Sequence, residues 1–166
     1  MRLEGKAWKF GDDISTDHIA PGRLFHLRSN LDEMAKHVLE DADPDFPKKV
    51  QKGDFVVAGK NFGLGSSREH APRIIKIAGV SAVLAKSFAR IFFRNAINVG
   101  LPVLICDTDK IDNGDDLEVD LEKGVINDKT KNLTLAFSAL PKGMLNILND
   151  GGITAHIQKH GDFKLD

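Results

Sequence analysis

Cysteine is nearly missing from this chain: Cys106 stands alone among 166 residues. One thiol excludes an internal disulfide. It equally excludes an iron–sulfur cluster held by this chain, which needs three or four thiolates. Histidine occurs six times, but no two sit in a zinc-like spacing with cysteines, so no metal site is expected within the chain. Long apolar runs are missing as well. Nothing reaches membrane-spanning length, and the opening MRLEGKAWKFGDD lacks the apolar stretch of a signal peptide. These absences point to a cytoplasmic protein, or to an organellar one without its transit segment. Nor is charge of one sign in excess. Lys and Arg number 23 against 24 Asp and Glu, a net charge of −1, which argues against nucleic acid as a partner and against a disordered acidic tail.

What is present suits one folded unit. A hydrophobic fraction of 42% with 28% charged residues predicts a single globular domain over residues 1–166. Short apolar runs at Ala7–Phe10, Phe55–Ala58, Val80–Ala85 and Leu101–Cys106 read as strands. Between them, Leu31–Leu39 (with Asn30 as N-cap), Ser67–Ala78 and Ser87–Val99 (with Ser87 as N-cap) have helical spacing. Residues 11–22 and 41–49 read as loop and turn. The alternation predicts an α/β core of parallel strands. Beyond Asp107 the pattern changes to short β segments at Leu117–Asp120, Val125–Asn127 and Leu133–Phe137, an antiparallel addition. A last helix over Leu140–Asn149 is ended by Gly151-Gly152.

The segment GLGSSRE at residues 63–69 falls where a strand hands over to a helix. Gly63 and Gly65 permit positive φ and close approach of another molecule. A helix N-terminus after them offers unpaired N–H groups and the positive end of a dipole, together an anion site. Ser66 and Ser67 place hydroxyls there, and the Arg68 guanidinium can grip a carboxylate with two bonds. The plainer reading is that Ser66-x-x-Glu69 is a capping box that only starts a helix. The segment fits neither a P-loop nor a nucleophile elbow.

Three segments in order, TDHI at 16–19, GLGSSREHA at 63–71 and KSFARI at 86–91, resemble the mobile swivel domain of the aconitase superfamily. The likeness is strong from about Lys6 to Cys106. It implies an aconitase-type swivelling β/β/α domain with a parallel-strand core and a smaller antiparallel portion. In this family the domain is fused in aconitase and is a separate chain in 3-isopropylmalate dehydratase and archaeal-type homoaconitase; this chain's length matches the separate form. The resemblance implies a hydro-lyase subunit that removes and returns water on a hydroxy-dicarboxylate or tricarboxylate. It is expected to be active only with a large subunit, in a heterodimer or heterotetramer, and that partner is expected to carry the [4Fe–4S] cluster. Ser66 matches the catalytic base, Arg68 a substrate-carboxylate arginine and Ser67 a supporting hydrogen-bonding residue. Asp17 and His18 match a pair near the domain junction.

The family's specificity loop corresponds to residues 24–29, with Arg28 about where aconitase has a substrate arginine. Two substrates are compatible: 2-isopropylmalate converted to 3-isopropylmalate in leucine biosynthesis, or a more acidic one such as homocitrate. Outside catalysis, the alternative is a carboxylate-binding or RNA-binding module. Of the other residues, Arg90 and Arg94 are candidate interface or solvated cations and Cys106 a core thiol. Asn95 has no assigned role, and His26, His37, His156 and His160 are expected in loops or on the surface.

Overall fold

The computed structural model describes residues 1–161. Seven strands form: β1 Arg2–Lys9, β2 Phe55–Val57, β3 Ala82–Ala85, β4 Val103–Ile105, β5 Asp116–Asp120, β6 Val125–Asp128 and β7 Leu133–Ala136. The α-helices are α1 Thr16–Ile19, α2 Leu31–Ala35, α3 Phe46–Lys49, α4 His70–Ile77, α5 Arg90–Asn98, α6 Lys142–Asn149 and α7 Ile153–His160, and a 3₁₀ turn covers Gly22–Leu27. The strand order is β4-β3-β2-β1-β5-β6-β7. β1 to β4 run parallel, whereas β1, β5, β6 and β7 pair antiparallel.

Strand alternation explains the layering. Val56, Val83 and Val103 turn to one side and join Ile74, Ile75, Phe92, Ala96 and Ile147 of the helices. Their neighbours Phe55, Val57, Leu84 and Leu104 turn to the other side and join Leu117, Val119, Ile126 and Leu135 of the antiparallel strands. The parallel strands are therefore buried on both faces, which is why they read as unbroken apolar runs. Helices, parallel strands and antiparallel strands stack as an α/β/β sandwich, the expected architecture.

β1 belongs to both halves. Residues 7–9 pair with β2, and residues 2–6 pair with β5. The strand expected over Ala7–Phe10 therefore starts earlier, at Arg2, in a stretch where charged residues alternate with Leu3 and Gly5. That half is stabilised by its ladder with β5 and an ion pair between Arg2 and Glu118.

Several helix boundaries differ from expectation. α4 starts at His70, not Ser67: Glu69 precedes it in helical geometry with no side-chain cap, so the Ser66–Glu69 capping box does not form. α5 starts at Arg90, and the Ser87 hydroxyl accepts from the Asn61 N–H rather than capping it. α2 ends at Ala35, although Asn30 caps it as expected, accepting from the Glu33 N–H. Single helical turns, α1 and α3, lie within the two segments read as loop. α7 was not anticipated; Gly152, at φ 126°, reverses the chain into it. It buries His156 completely, correcting that residue's expected surface position. The connections β2-α4-β3 and β3-α5-β4 place the loops after β1, β2 and β3 together at the carboxyl ends of the parallel strands, where α/β sheets bind ligands.

Candidate active site

The GLGSSRE corner is a continuation of β2 beyond its last regular residue. Phe62 bridges to Phe88 and Leu64 to Ser15, so the segment is gripped by the loops on both sides. The Phe62 N–H donates to the Ser87 carbonyl at 3.1 Å and the Ala89 N–H to Phe62 at 2.9 Å. On the other flank the Gly63 N–H donates to Ile14 at 2.7 Å and the Thr16 N–H to Leu64 at 2.8 Å. Thr16 Oγ1 adds a bond to the Ser66 carbonyl at 2.9 Å.

The conformation requires glycine at Gly63. Its φ is +85°, and a Cβ there would lie 2.3 Å from the Phe92 ring. Gly65, at φ +104°, turns the chain so that Ser66 and Ser67 emerge exposed. Neither serine hydroxyl has a hydrogen-bond partner among the described residues.

Arg68 is held from one edge. Its Nη1 donates to Asp17 Oδ1 at 2.9 Å and to the Ala20 carbonyl at 2.6 Å. Nη2 and Nε have no protein acceptor among the described residues, leaving the side-on edge of the fork for a second carboxylate. Asp17 also accepts the Gly22 N–H at 3.0 Å. The Arg68 bond first, and the Gly22 bond second, hold its carboxyl below the ordinary range. His18 turns inward on its own loop. Its Nδ1 accepts the Ser15 N–H at 2.9 Å while the Ser15 hydroxyl accepts the His18 N–H, a reciprocal cap for α1. His70, half-buried against Phe25 with ring centroids 6.2 Å apart, has its pKa lowered by burial and then by the Arg68 charge. A neutral imidazole results at physiological pH.

A cavity of about 310 Å³ opens beside the corner, lined by Thr16, Ser66, Ser67, Arg68, Arg90 and Asn95 among others. Ile91, 51% exposed, stands at its edge. The structure thus brings Gly63, Gly65, Ser66, Ser67 and Arg68 to one opening, with Asp17 behind Arg68. His18 does not line this cavity. Arg28 does not line it either: it ends the 3₁₀ turn, exposed, with its guanidinium 4.5 Å over the Phe25 ring and Nη1 on the Phe25 carbonyl. Phe25 links that turn to His70.

Sequence reasoning missed Thr16, although it begins the TDHI segment, and assigned nothing to Asn95. Thr16 acts through a bond to a loop distant in sequence, and Asn95 reaches the cavity from α5. α5, which starts after the extended Ala89, brings Arg90 and Ile91 of its first turn and Asn95 of its second to the cavity beside the corner. Cys106 is buried, and burial raises its thiol to about 12, an inert core group as expected.

Residues 17–108 match the aconitase C-terminal domain family. The chain is 67% identical to 3-isopropylmalate dehydratase small subunit 2 of Archaeoglobus fulgidus, covering 99% of this chain and 100% of that one. It is 65% identical to small subunit 1 of Thermotoga maritima, over 97% and 98% of the two chains. The solved structure of 3-isopropylmalate dehydratase from Methanocaldococcus jannaschii superposes with a TM-score of 0.93 at 47% identity, covering 97% of this chain and 96% of that one.

Proposed function

From the chain's membership of the aconitase C-terminal domain family we propose that it is the small subunit of a hydro-lyase that interconverts 2- and 3-isopropylmalate by loss and return of water. In this reading residues 1–166 are one swivel-type domain, working in the cytoplasm with a large subunit. This chain's residues do not fit an iron–sulfur cluster, since its one thiol is buried and held protonated. The Lewis-acid iron is therefore assigned to the partner.

The observation that carries the proposal is the corner itself. Two unengaged hydroxyls and a half-free guanidinium face one cavity at the carboxyl ends of parallel strands. Ser66 is the base for the carbon-bound proton, its peptide fixed by Thr16. Arg68 takes a substrate carboxylate through Nη2 and Nε, and its charge offsets the negative charge that develops as the proton leaves. Asp17 keeps that fork aligned, and Ser67 supports the substrate by hydrogen bonding. Gly63 and Gly65 let the backbone make the bend.

One observation favours a second substrate. Arg28 is cationic and exposed on the turn that leads to His70, which suits a more acidic substrate such as homocitrate. Phe25 on the same turn, 51% exposed, suits an alkyl group instead.

The test is reconstitution with the large subunit. Ser66→Ala is expected to lower kcat by about 10³-fold or more with assembly unchanged. Near-normal turnover would remove Ser66 from the role. Exchange of Arg28 for Val is expected to shift preference between isopropylmalate and homocitrate.

A further inference from the structure

Away from the corner, at the junction of α6 and α7, three metal-ligating groups converge. Asp150 is the residue that ends α6, and His156 and His160 are four apart on α7. That spacing stacks two imidazoles on one helix face. His156 Nδ1 lies 2.7 Å and His160 Nε2 lies 3.0 Å from the same oxygen, Asp150 Oδ2. The three ligand atoms all lie within 4.8 Å of one another.

We propose that Asp150, His156 and His160 form a site for a divalent transition-metal ion of the zinc type. Two imidazole nitrogens and one carboxylate oxygen are the ligand set such an ion prefers, and they leave a fourth position for water. The site is built rather than incidental. The His156 side chain is fully buried and that of Asp150 is 8% exposed, whereas His160, at 29%, opens one side to solvent. Lys159 occupies the other carboxylate oxygen, Oδ1, at 3.1 Å, which leaves Oδ2 to bind as a single ligand. Zinc–nitrogen and zinc–oxygen bonds of about 2.0–2.2 Å separate tetrahedral ligands by roughly 3.3 Å. The two hydrogen-bonded spacings would open by roughly 0.3–0.6 Å, and the two ring nitrogens, which lie within 4.8 Å of each other, would close toward the same separation. Each coordinating nitrogen supplies its lone pair, so a proton it now gives to Oδ2 has to leave that nitrogen as the ion binds. Absence of cysteine explains why the site escapes a search for cysteine–histidine spacing. Coordination would fasten α7 to the end of α6, independently of the corner at Ser66.

The experiment is a zinc titration of the metal-stripped full chain by calorimetry, with cobalt(II) absorption as a second readout. The wild type is expected to bind one equivalent. At a hundredfold excess of free zinc over Kd, Tm should rise by roughly 5–10 °C. His160→Ala, at a partly exposed position, is expected to keep the metal-free Tm within a few degrees. It should weaken zinc binding about a hundredfold or more, since even outer-shell partners contribute 10–100-fold. The cobalt band should vanish with it. If Asp150 is only an ionic anchor for α7, Asp150→Asn will lower the metal-free Tm while zinc shifts nothing in the wild type, and the proposal is overturned. Equal zinc binding by wild type and His160→Ala overturns it too.

Discussion

Thr16 clamps the corner from both sides of Gly65: its N–H binds the Leu64 carbonyl and its hydroxyl the Ser66 carbonyl. At 4% exposure it is shielded from the solvent that could substitute for it. It does not react, so it is a positioning residue. Thr16→Val keeps the shape and removes the donor. A misplacement of the base by about 1 Å costs roughly 10²-fold in rate. We expect Thr16→Val to lower kcat by about 10–100-fold in the reconstituted enzyme with little change in KM, and Thr16→Ser to restore it. An unchanged kcat would show that the backbone bonds alone fix Ser66. The residue types of this corner could be read from the sequence, because glycine, hydroxyl and guanidinium in that order constrain the chemistry. Thr16 could not be identified in that way, because its role is a bond across 50 positions of chain.

At the scale of elements, the doubly buried strands were the most legible feature. Phe55–Val57 and Ala82–Ala85 need no alternation to be recognised, being apolar on both faces. The first half of β1 is not legible because it offers one apolar residue, Leu3, among three charged ones and its pairing is with β5, far along the chain. α4 starts later than expected because Ser66-x-x-Glu69 has the letters of a capping box, yet Ser66 sits in a bend whose carbonyl accepts from the Thr16 hydroxyl. Gly63→Ala tests how far that turn depends on its backbone. An alanine would be strained at positive φ and would strike Phe92. We expect a loss of about 2–4 kcal/mol in unfolding free energy and loss of turnover. α7 allows a pH prediction. The Asp150 carboxyl is depressed from 3.8 to about 2, first by His156. A depressed carboxylate stabilises the fold above its unfolded pKa, and that contribution disappears as pH falls through its folded value. Amide exchange in α7 is therefore expected to be unchanged from neutrality down to about pH 4 and to accelerate between there and about pH 2. Acceleration already at pH 6 would place the anchor elsewhere.

Over the whole molecule, stability is shared between two cores, and among the described residues one buried side-chain oxygen is left unsatisfied. Asp128 Oδ2 is buried without a hydrogen-bond donor among the described residues. Burial, and next the neighbouring Asp115, raise the Asp128 carboxyl above its ordinary value. Asp115 is drawn the other way, against its burial, first by Asp128, then by the Asp112 N–H, and then by Lys131, whose Nζ lies 3.2 Å away. A raised carboxyl weakens the fold as pH climbs through its folded pKa. Asp128→Asn supplies an amide donor toward Asp115 and keeps an acceptor for the Lys131 N–H. We expect it to raise Tm by roughly 2–4 °C at neutral pH, about 1 kcal/mol, with the gain shrinking in acid. A lower Tm at neutral pH would mean that the carboxylate is better satisfied than its surroundings indicate.

The strand shared by both halves also sets an order of events during synthesis. β1 leaves the ribosome before both of its partners: Ala7 waits for Phe55 and Arg2 waits for Asp120. At about 5–20 residues per second, the amino-terminal strand stays without its last partner for several seconds or longer. Through that interval its edge is a sticky template for other nascent chains. The chain cannot close its sandwich piecemeal, so a ribosome stalled before residue 116 would hold a half-sheet exposed along Arg2–Lys6.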